Sequence, residues 1–561
     1  MLERLADEPL DLLVIGGGIT GAGVAREAAL RGLRVGLVER ADFAAGTSSR
    51  STKLIHGGLR YLRNRELGFV RESVRERERL MRMAPHLVRP LPFVFPVYAG
   101  DPDPLWKVRV GLALYDRFAG HEKRIPRAIH RADGLREIEP LLASEGLRGG
   151  AVYGDSITDD ARLVLAVVRS AGELGALAAN YAAVIGFERD ARGRSRAAIV
   201  RDEIAGAEIA VRAGLFLNAT GPWADRVRHL ADPGLPRLLR LTKGVHIAVR
   251  RERLPVGQAV VLRARDGRIV FAIPSGAYTY VGTTDTNHDG EAERAAVERA
   301  DVEYLLEAVG RTCRVRALGT ADVTSAWVGL RPLIAAGRAD PSQVSRDYDL
   351  FRAPSGVVTV GGGKLTAFRA MASRIVDRLF PRTRRRGRRV EQSRDLLPGA
   401  TTTELPSAEV AAIAQRVGEP REEVERTLTR YGSAAAEVLL ELARLDGGDP
   451  NLAWWTAQLR HAVRAEMAVR LEDVLARRTS ALLFTPDNGM RHATALATAM
   501  GRLLDWDDAR VEAEVARYRS TVRDMWEWLG GAQVSLTAQA AFAGRDSPAR
   551  ASSSSPQPSS D

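Results

Sequence analysis

Two clusters of residue types in this chain suit chemistry on phosphate-bearing ligands. The first is Gly16-Gly-Gly-Ile-Thr-Gly21, with glycines at positions 16, 18 and 21. In a G-x-G-x-x-G run the first glycine permits a tight turn and the second lets the backbone approach a diphosphate. The third lets a helix pack on a strand. The helix that follows offers unpaired N–H groups and the positive end of its dipole. Glu39 stands 23 residues after Gly16. A carboxylate there accepts hydrogen bonds from a ribose diol and repels a 2′-phosphate. The second cluster is Gly46-Thr-Ser-Ser-Arg-Ser-Thr-Lys-Leu-Ile-His-Gly-Gly-Leu-Arg-Tyr61, which packs hydroxyls, a lysine, a histidine and paired glycines into sixteen residues. Such a loop suits a long polar ligand, with backbone brought close at Gly57-Gly58. The glycine motif alone does not separate NAD from FAD. Gly361-Gly-Gly-Lys-Leu-Thr366 opens another helix, and a helix N-terminus with Lys364 favours negative charge on the N1/O2 edge of a reduced flavin.

The elements around these clusters read as a βαβ unit. Asp11–Ile15 is an apolar run suited to a buried parallel strand, Ala22–Arg31 is alanine-rich and helical, and Leu33–Val38 is a second strand. A charged helix is expected over Arg65–Met83, with arginines and glutamates almost all round. The prolines at 85, 90, 92, 96, 102 and 104 suggest loops and edge strands. Helices are expected over Arg162–Leu177 and Ala295–Val309, and strands over Ala182–Phe187, Ala210–Asn218 and Val357–Val360. Short, mostly antiparallel strands alternate between Leu241 and Asp285. A helix follows from about Leu365 to Leu379. Beyond residue 400 only helical periods occur: Ala408–Val417, Ala434–Leu445, Leu459–Leu475, His492–Leu504 and Asp508–Leu529.

Composition narrows the class. The chain has 561 residues, of which 45% are hydrophobic and 27% charged, values of a globular multidomain protein. With Cys313 as its single cysteine it can form no intrachain disulfide and no cysteine-rich zinc site, and a reducing compartment is its natural home. The net charge is +12, and the run Pro381–Val390 supplies six arginines of that excess. With aromatics at 6%, this charge distribution argues against a nucleic-acid face. The N-terminus carries mixed charge without an apolar signal core, and no uncharged stretch reaches the roughly 20 residues needed to span a bilayer. No metal site is expected.

Seven segments resemble the signatures of FAD-dependent glycerol-3-phosphate dehydrogenases, in that family's order. They are Gly46–Tyr61, Asn218-Ala-Thr-Gly-Pro-Trp223, Lys243-Gly-Val-His246, Gly282-Thr-Thr-Asp285, Gly329-Leu-Arg-Pro-Leu333, Ser345-Arg-Asp-Tyr348 and Gly362-Gly-Lys-Leu-Thr366. The resemblance spans about residues 9–380 and continues more weakly at Leu471–Thr479. It implies an α/β fold, with a Rossmann-type FAD-binding domain of the glycine/D-amino-acid-oxidase-like class. A mixed or antiparallel substrate subdomain is inserted in it, and an all-helical C-terminal domain follows. The expected boundaries are 1–380 for the oxidoreductase domain, with FAD-binding parts at about 9–95, 150–235 and 340–380. The substrate subdomain is expected at about 96–149 and 236–339. A basic linker at 381–399, helices at 400–543 and a disordered Ser/Pro-rich tail at 544–561 complete the chain.

The implied reaction moves a hydride from C2 of sn-glycerol 3-phosphate to FAD, giving dihydroxyacetone phosphate. The family passes electrons to a membrane quinone from a peripheral position on the cytoplasmic face of the cell membrane. The alternatives are an oxidase that releases hydrogen peroxide, a flavin oxidase acting on another hydroxy or amino substrate, and a non-enzymatic basic flavin- or nucleic-acid-binding protein. A homodimer is an open possibility, and no nucleic-acid partner is expected. The resemblance places phosphate recognition on Arg60, Arg331, Arg346 and Lys364, which offer the forks and point charge that a phosphomonoester needs. Tyr61 joins them at the substrate. The proton acceptor is His56 or His246, since an imidazole titrates near working pH; both shaping roles for these histidines and water as the acceptor stay open. Cofactor contacts fall to Gly16, Gly18, Gly21, Glu39, Thr47, Ser48, Ser49, Ser51, Lys53, Leu54, His56, Gly57, Gly58, Ala219, Thr220, Gly221, Gly362, Gly363, Lys364, Leu365 and Thr366. Asp285 reads as a structural cap.

Overall fold

Leu12–Ile15 is a strand buried along its whole length, as the centre of a doubly covered parallel sheet requires. These contacts come from a computed structural model that describes residues 1–58, 66–119, 125–335, 348–383, 396–400, 407–418, 420–445 and 449–530. The strand pairs in parallel with Val35–Val38, Leu13 opposite Gly36, and with Phe216–Asn218, Leu13 opposite Phe216. The sheet order is Tyr348–Arg352, Val358–Gly362, Phe216–Asn218, Leu12–Ile15, Val35–Val38, Leu177–Ala179, and the Tyr348–Arg352 edge runs antiparallel. Helix Ile19–Leu30 packs against both Asp160–Glu173 and Phe368–Leu379. Leu12, Val14 and Leu37 are fully buried beneath them, so truncating Leu12 to alanine costs about 2–5 kcal/mol.

The second sheet is larger and mostly antiparallel. Its long pair, Leu239–Arg250 with Val323–Ile334, sets Thr242 opposite Arg331 and His246 opposite Trp327. On its other flank Leu239–Arg250 meets Tyr278–Gly282, with His246 opposite Gly282. The expected run of short strands is therefore anchored on a twelve-residue one. Val88–Tyr98 is an eleven-residue strand inside the same sheet, not a loop. Its prolines at 90, 92 and 96 are spaced by even numbers, so their missing N–H groups fall on one flank. The strand pairs with Leu147–Thr158 along its length, and on the other side meets Ala259–Arg263 only at Phe93 and Val94.

Ala210–Asn218, expected as one strand, is two. Glu208–Arg212 joins a small separate sheet and Phe216–Asn218 joins the parallel one. The charged helix, Leu67–Met83, turns several of its charges inward. Glu76 accepts two hydrogen bonds from Arg369, at 2.9 and 2.7 Å, and Arg77 pairs with Asp155 at 2.7 Å, all four buried.

The C-terminal region is helical, with Ser407–Val417, Arg421–Tyr431, Ala435–Ala443, Pro450–Ala465, Ala493–Leu504 and Asp508–Met525. Arg421–Tyr431, not expected from the sequence, buries only Val424, Thr427 and Tyr431, a stripe with few apolar residues. The helix expected over Leu459–Leu475 ends at Ala465. The Asp473 carboxylate accepts the Val469 and Arg470 N–H groups, both at 2.9 Å, and bends the chain into a π turn over Asp473–Arg478. Arg162 docks this region to the first sheet's helix layer through a two-point pair with the buried Glu466, at 2.8 and 2.7 Å.

Candidate active site

The glycine run lies where the strand Leu12–Ile15 hands over to its helix. Gly16 has φ +110°, and a Cβ there would stand 2.7 Å from the Ala219 carbonyl oxygen. A Cβ on Gly21 would stand 1.9 Å from the Gly16 carbonyl oxygen, so helix and turn touch backbone to backbone. The Ser48 hydroxyl accepts the Ile19 N–H at 3.0 Å, which draws the Gly46–Gly58 loop over the helix N-terminus. Glu39 accepts the Gly17 N–H at 2.7 Å and the Ala41 N–H at 2.9 Å. Burial pushes its carboxyl above the ordinary value, against the lowering effect of those two bonds and of Arg40.

A cavity of about 1130 Å³ runs from this turn into the second sheet. Drug-sized ligands occupy pockets of roughly 300–1,000 Å³, so the space suits a dinucleotide with a small substrate beside it. Its wall includes Gly16, Gly18, Glu39, Thr47, Ser48, Ser51, Leu54, His56, Gly58, Ala219, Thr220, Gly221 and Gly362 through Thr366. Gly21 lies behind the wall. So do Ser49, Lys53 and Gly57, three residues expected at the cofactor. Lys53, at φ +54°, turns away to Asp160 at 2.5 Å, and both members of that pair are buried. The Gly57 N–H donates to the Tyr115 hydroxyl at 2.7 Å. Lys364 donates to the His56 carbonyl at 3.0 Å, tying the late glycine turn to the early loop.

The opposite wall is made of side chains on the long strand pair. His246 is buried, stacked on Trp327 with ring centres 5.1 Å apart and planes 8° from parallel. The Thr52 hydroxyl lies 2.9 Å from its Nε2, while Nδ1 is buried without a hydrogen-bond partner among the described residues. Burial, then the charges of Arg331 and Lys53, hold the imidazole well below its ordinary pKa, so it is neutral. Arg331 lines the cavity beside it. Its guanidinium donates to Asp285 Oδ1 at 3.0 Å, to the Thr283 hydroxyl at 3.1 Å and to the Thr284 carbonyl at 3.2 Å. Asp285 is thus no cap: it stands in the cavity wall as the counter-ion of Arg331. Arg60, Tyr61 and Arg346 lie outside the described residues.

Arg470, Glu472, Arg477 and Arg517, to which sequence reasoning assigns no role, also line the cavity from the helical region. The family-like run Leu471–Thr479 is a signal for Glu472 and Arg477 only; Arg470 and Arg517 fall outside it. Backbone amides at a helix N-terminus, a carboxylate at the end of the second strand and two glycine turns fit a flavin dinucleotide. A neutral imidazole and a fixed guanidinium, further along the same space, suit proton removal from a small anion.

Known proteins resemble this chain over most of its length. The FAD dependent oxidoreductase family profile matches residues 11–378, and the profile for the C-terminal domain of alpha-glycerophosphate oxidase matches residues 390–511. The aerobic glycerol-3-phosphate dehydrogenase of Staphylococcus saprophyticus is 36% identical over 523 residues, covering 91% of this chain and 94% of that protein. The protein of the same name from Staphylococcus aureus is 33% identical over 533 residues, with 93% and 96% covered. The solved glycerol-3-phosphate dehydrogenase from Bacillus halodurans, complexed with FAD, matches with a TM-score of 0.75 at 31% identity, covering 94% of this chain and 97% of that one.

Proposed function

The chain belongs to the FAD-dependent glycerol-3-phosphate dehydrogenase family, and from this we propose that it oxidises sn-glycerol 3-phosphate to dihydroxyacetone phosphate and delivers the electrons to a membrane quinone. The observation that carries the reading is the pairing, in one cavity, of a buried neutral His246 with a guanidinium, Arg331, whose orientation is fixed by Asp285 and Thr283.

FAD, when bound, supplies the two-electron acceptor for the hydride on substrate C2. The chain's own residues do the rest. Arg331 grips the phosphate, and Asp285 keeps its fork pre-oriented, so little freedom is lost on binding. His246 accepts the C2-hydroxyl proton. Its lone pair is available at neutral pH because burial disfavours the cation, and Trp327 holds the ring plane. Phe95, Tyr153, Val261 and Phe271 in the same wall keep water from the reacting carbon. Lys364 holds the His56 backbone where the two glycine turns meet.

The quinone and the membrane are supported by a surface feature. Among the described residues no helix is long and apolar enough to cross a membrane. Helix Leu105–Ala119, however, leaves Trp106 and Val110 exposed, at 68% and 62%, one turn apart. Lys107, Arg109 and Arg117 stand exposed on the same helix. An indole beside cations with long apolar stems suits the headgroup layer of an anionic bilayer. We place the protein peripherally on the inner face of the cell membrane.

The test is turnover on anionic vesicles containing quinone, with air present. The expected result is one quinone reduced per dihydroxyacetone phosphate formed, with little peroxide. Stoichiometric peroxide without quinone reduction makes the protein an oxidase, and absence of dihydroxyacetone phosphate overturns the reading altogether.

A further inference from the structure

The nucleotide end of the cavity is closed by the helical region. Asp42 follows Glu39 by three residues, at the end of the second strand of the βαβ unit, and is fully buried. Its carboxylate accepts from Arg477 Nε at 2.5 Å and from both terminal nitrogens of Arg478, Nη2 at 3.0 Å. Arg477 reaches on to Glu472 at 2.9 Å and to Asp473 at 2.7 Å. The Tyr181 hydroxyl donates to Asp473 at 2.6 Å, and the Arg470 guanidinium lies 5.0 Å from the centre of the Tyr181 ring.

Four of these charges are deep, while Arg470 and Glu472 are partly exposed. Asp42, Asp473 and Arg478 have no exposed surface, and Arg477 has 5%. An ion cluster with this little access to water is costly unless every member stays in place. Asp42, Arg470, Glu472, Arg477 and Arg517 are also cavity wall, together with Glu39, Arg40 and Tyr181. The helical region therefore contributes three guanidinium groups and one carboxylate to the cavity that Gly16, Gly18 and Glu39 of the glycine turn also line.

We propose that the helical C-terminal region is a lock on the nucleotide half of FAD, with Arg477 coupling helix docking to cofactor retention and Arg517 adding positive charge at the cavity wall. The lock rests on FAD as the cofactor and on nothing about the substrate. A ligand that binds only the docked state holds the helices in place, and by reciprocity the docked helices hold the ligand.

Two measurements test it, neither involving glycerol 3-phosphate. The first is the rate of FAD release from the holoenzyme on dilution, read by the fluorescence of the freed flavin. Release is expected to rise on the order of tenfold in Arg477→Gln and more modestly in Arg517→Ala, with Arg517→Lys close to wild type. Arg517 is half-exposed, so its variants keep the test open if Arg477→Gln does not fold. The second is amide hydrogen exchange of the full chain with and without FAD. Removing FAD is expected to speed exchange of the Leu471–Thr479 turn on the order of tenfold, while the Glu208–Arg212 strand of the small separate sheet stays unchanged. Wild-type release from both Arg477→Gln and Arg517→Ala overturns the proposal. So does equal exchange of the turn in the two forms. A protein that keeps its flavin but ignores glycerol 3-phosphate fails the functional proposal and leaves this one standing.

Discussion

The two long walls of the cavity recognise their ligands by different means. The early glycine turn of the dinucleotide wall works through backbone, with glycines that let chain touch chain, amides at a helix N-terminus and one carboxylate. Its parts come from fewer than thirty consecutive residues, Leu12 to Glu39. The substrate wall works through side chains. Thr52, His246, Asp285, Trp327 and Arg331 are brought together from across the chain by strand register and by one loop. Backbone recognition is local and tolerates no added atom. Side-chain recognition is distributed and can be weakened in steps.

That contrast orders the expected effects of substitution. Gly21→Ala should be the most damaging change, because its methyl would meet the Gly16 carbonyl at 1.9 Å, with backbone on both sides unable to yield. We expect protein purified without flavin colour; wild-type flavin content would break the contrast. Arg331→Ala should keep FAD and lower kcat/KM for glycerol 3-phosphate by about 10²–10³-fold, the cost of removing a fixed charge from a phosphate site. A loss of flavin in that variant would show that the two walls are not separable.

Subtler changes sharpen the picture on the substrate side. His246 is held well below an ordinary histidine pKa by burial first and then by Arg331 and Lys53. Lowering the pKa preserves the neutral form as pH falls, so proton acceptance should persist through about pH 6.5, where a free histidine is half protonated. At saturating substrate, where titration of the free phosphate ester no longer enters, a kcat profile flat from pH 8 to pH 6 is expected, and a break near 6.5 assigns the proton elsewhere. Thr52→Val removes the hydroxyl beside Nε2 and should cost about fivefold in kcat, the worth of one net hydrogen bond. Thr52→Ser should restore most of it, and equal losses in both variants would make Thr52 a packing residue.

The same contrast explains what could be read in the sequence. Gly16, Gly18, Gly21 and Glu39 announce a dinucleotide turn because spacing along one chain segment is the whole signal. The all-helical character of the C-terminal region was equally legible, since a helical period is local. Lys53 was not: a lysine in a ligand loop looks the same whether it faces the ligand or, as here, a buried Asp160 more than a hundred positions away. Asp285 failed for the same reason, because its partner Arg331 meets it only through pairing of distant strands. The break at Ala465 depends on one carboxylate, Asp473, capturing two amides, and hydrophobic period carries no trace of that. The cavity role of Arg470, Glu472, Arg477 and Arg517 needs the docking of two regions, which no stretch of sequence contains.

The central claim is that a phosphate-gripping wall presents a small polyol phosphate to a flavin. The most direct test is anaerobic: add sn-glycerol 3-phosphate, or the same concentration of glycerol, to the FAD-loaded protein and follow visible flavin absorbance. The account requires rapid bleaching by the phosphate ester and almost none by glycerol. Persistence of the colour with both compounds, or equal bleaching by the two, would contradict it.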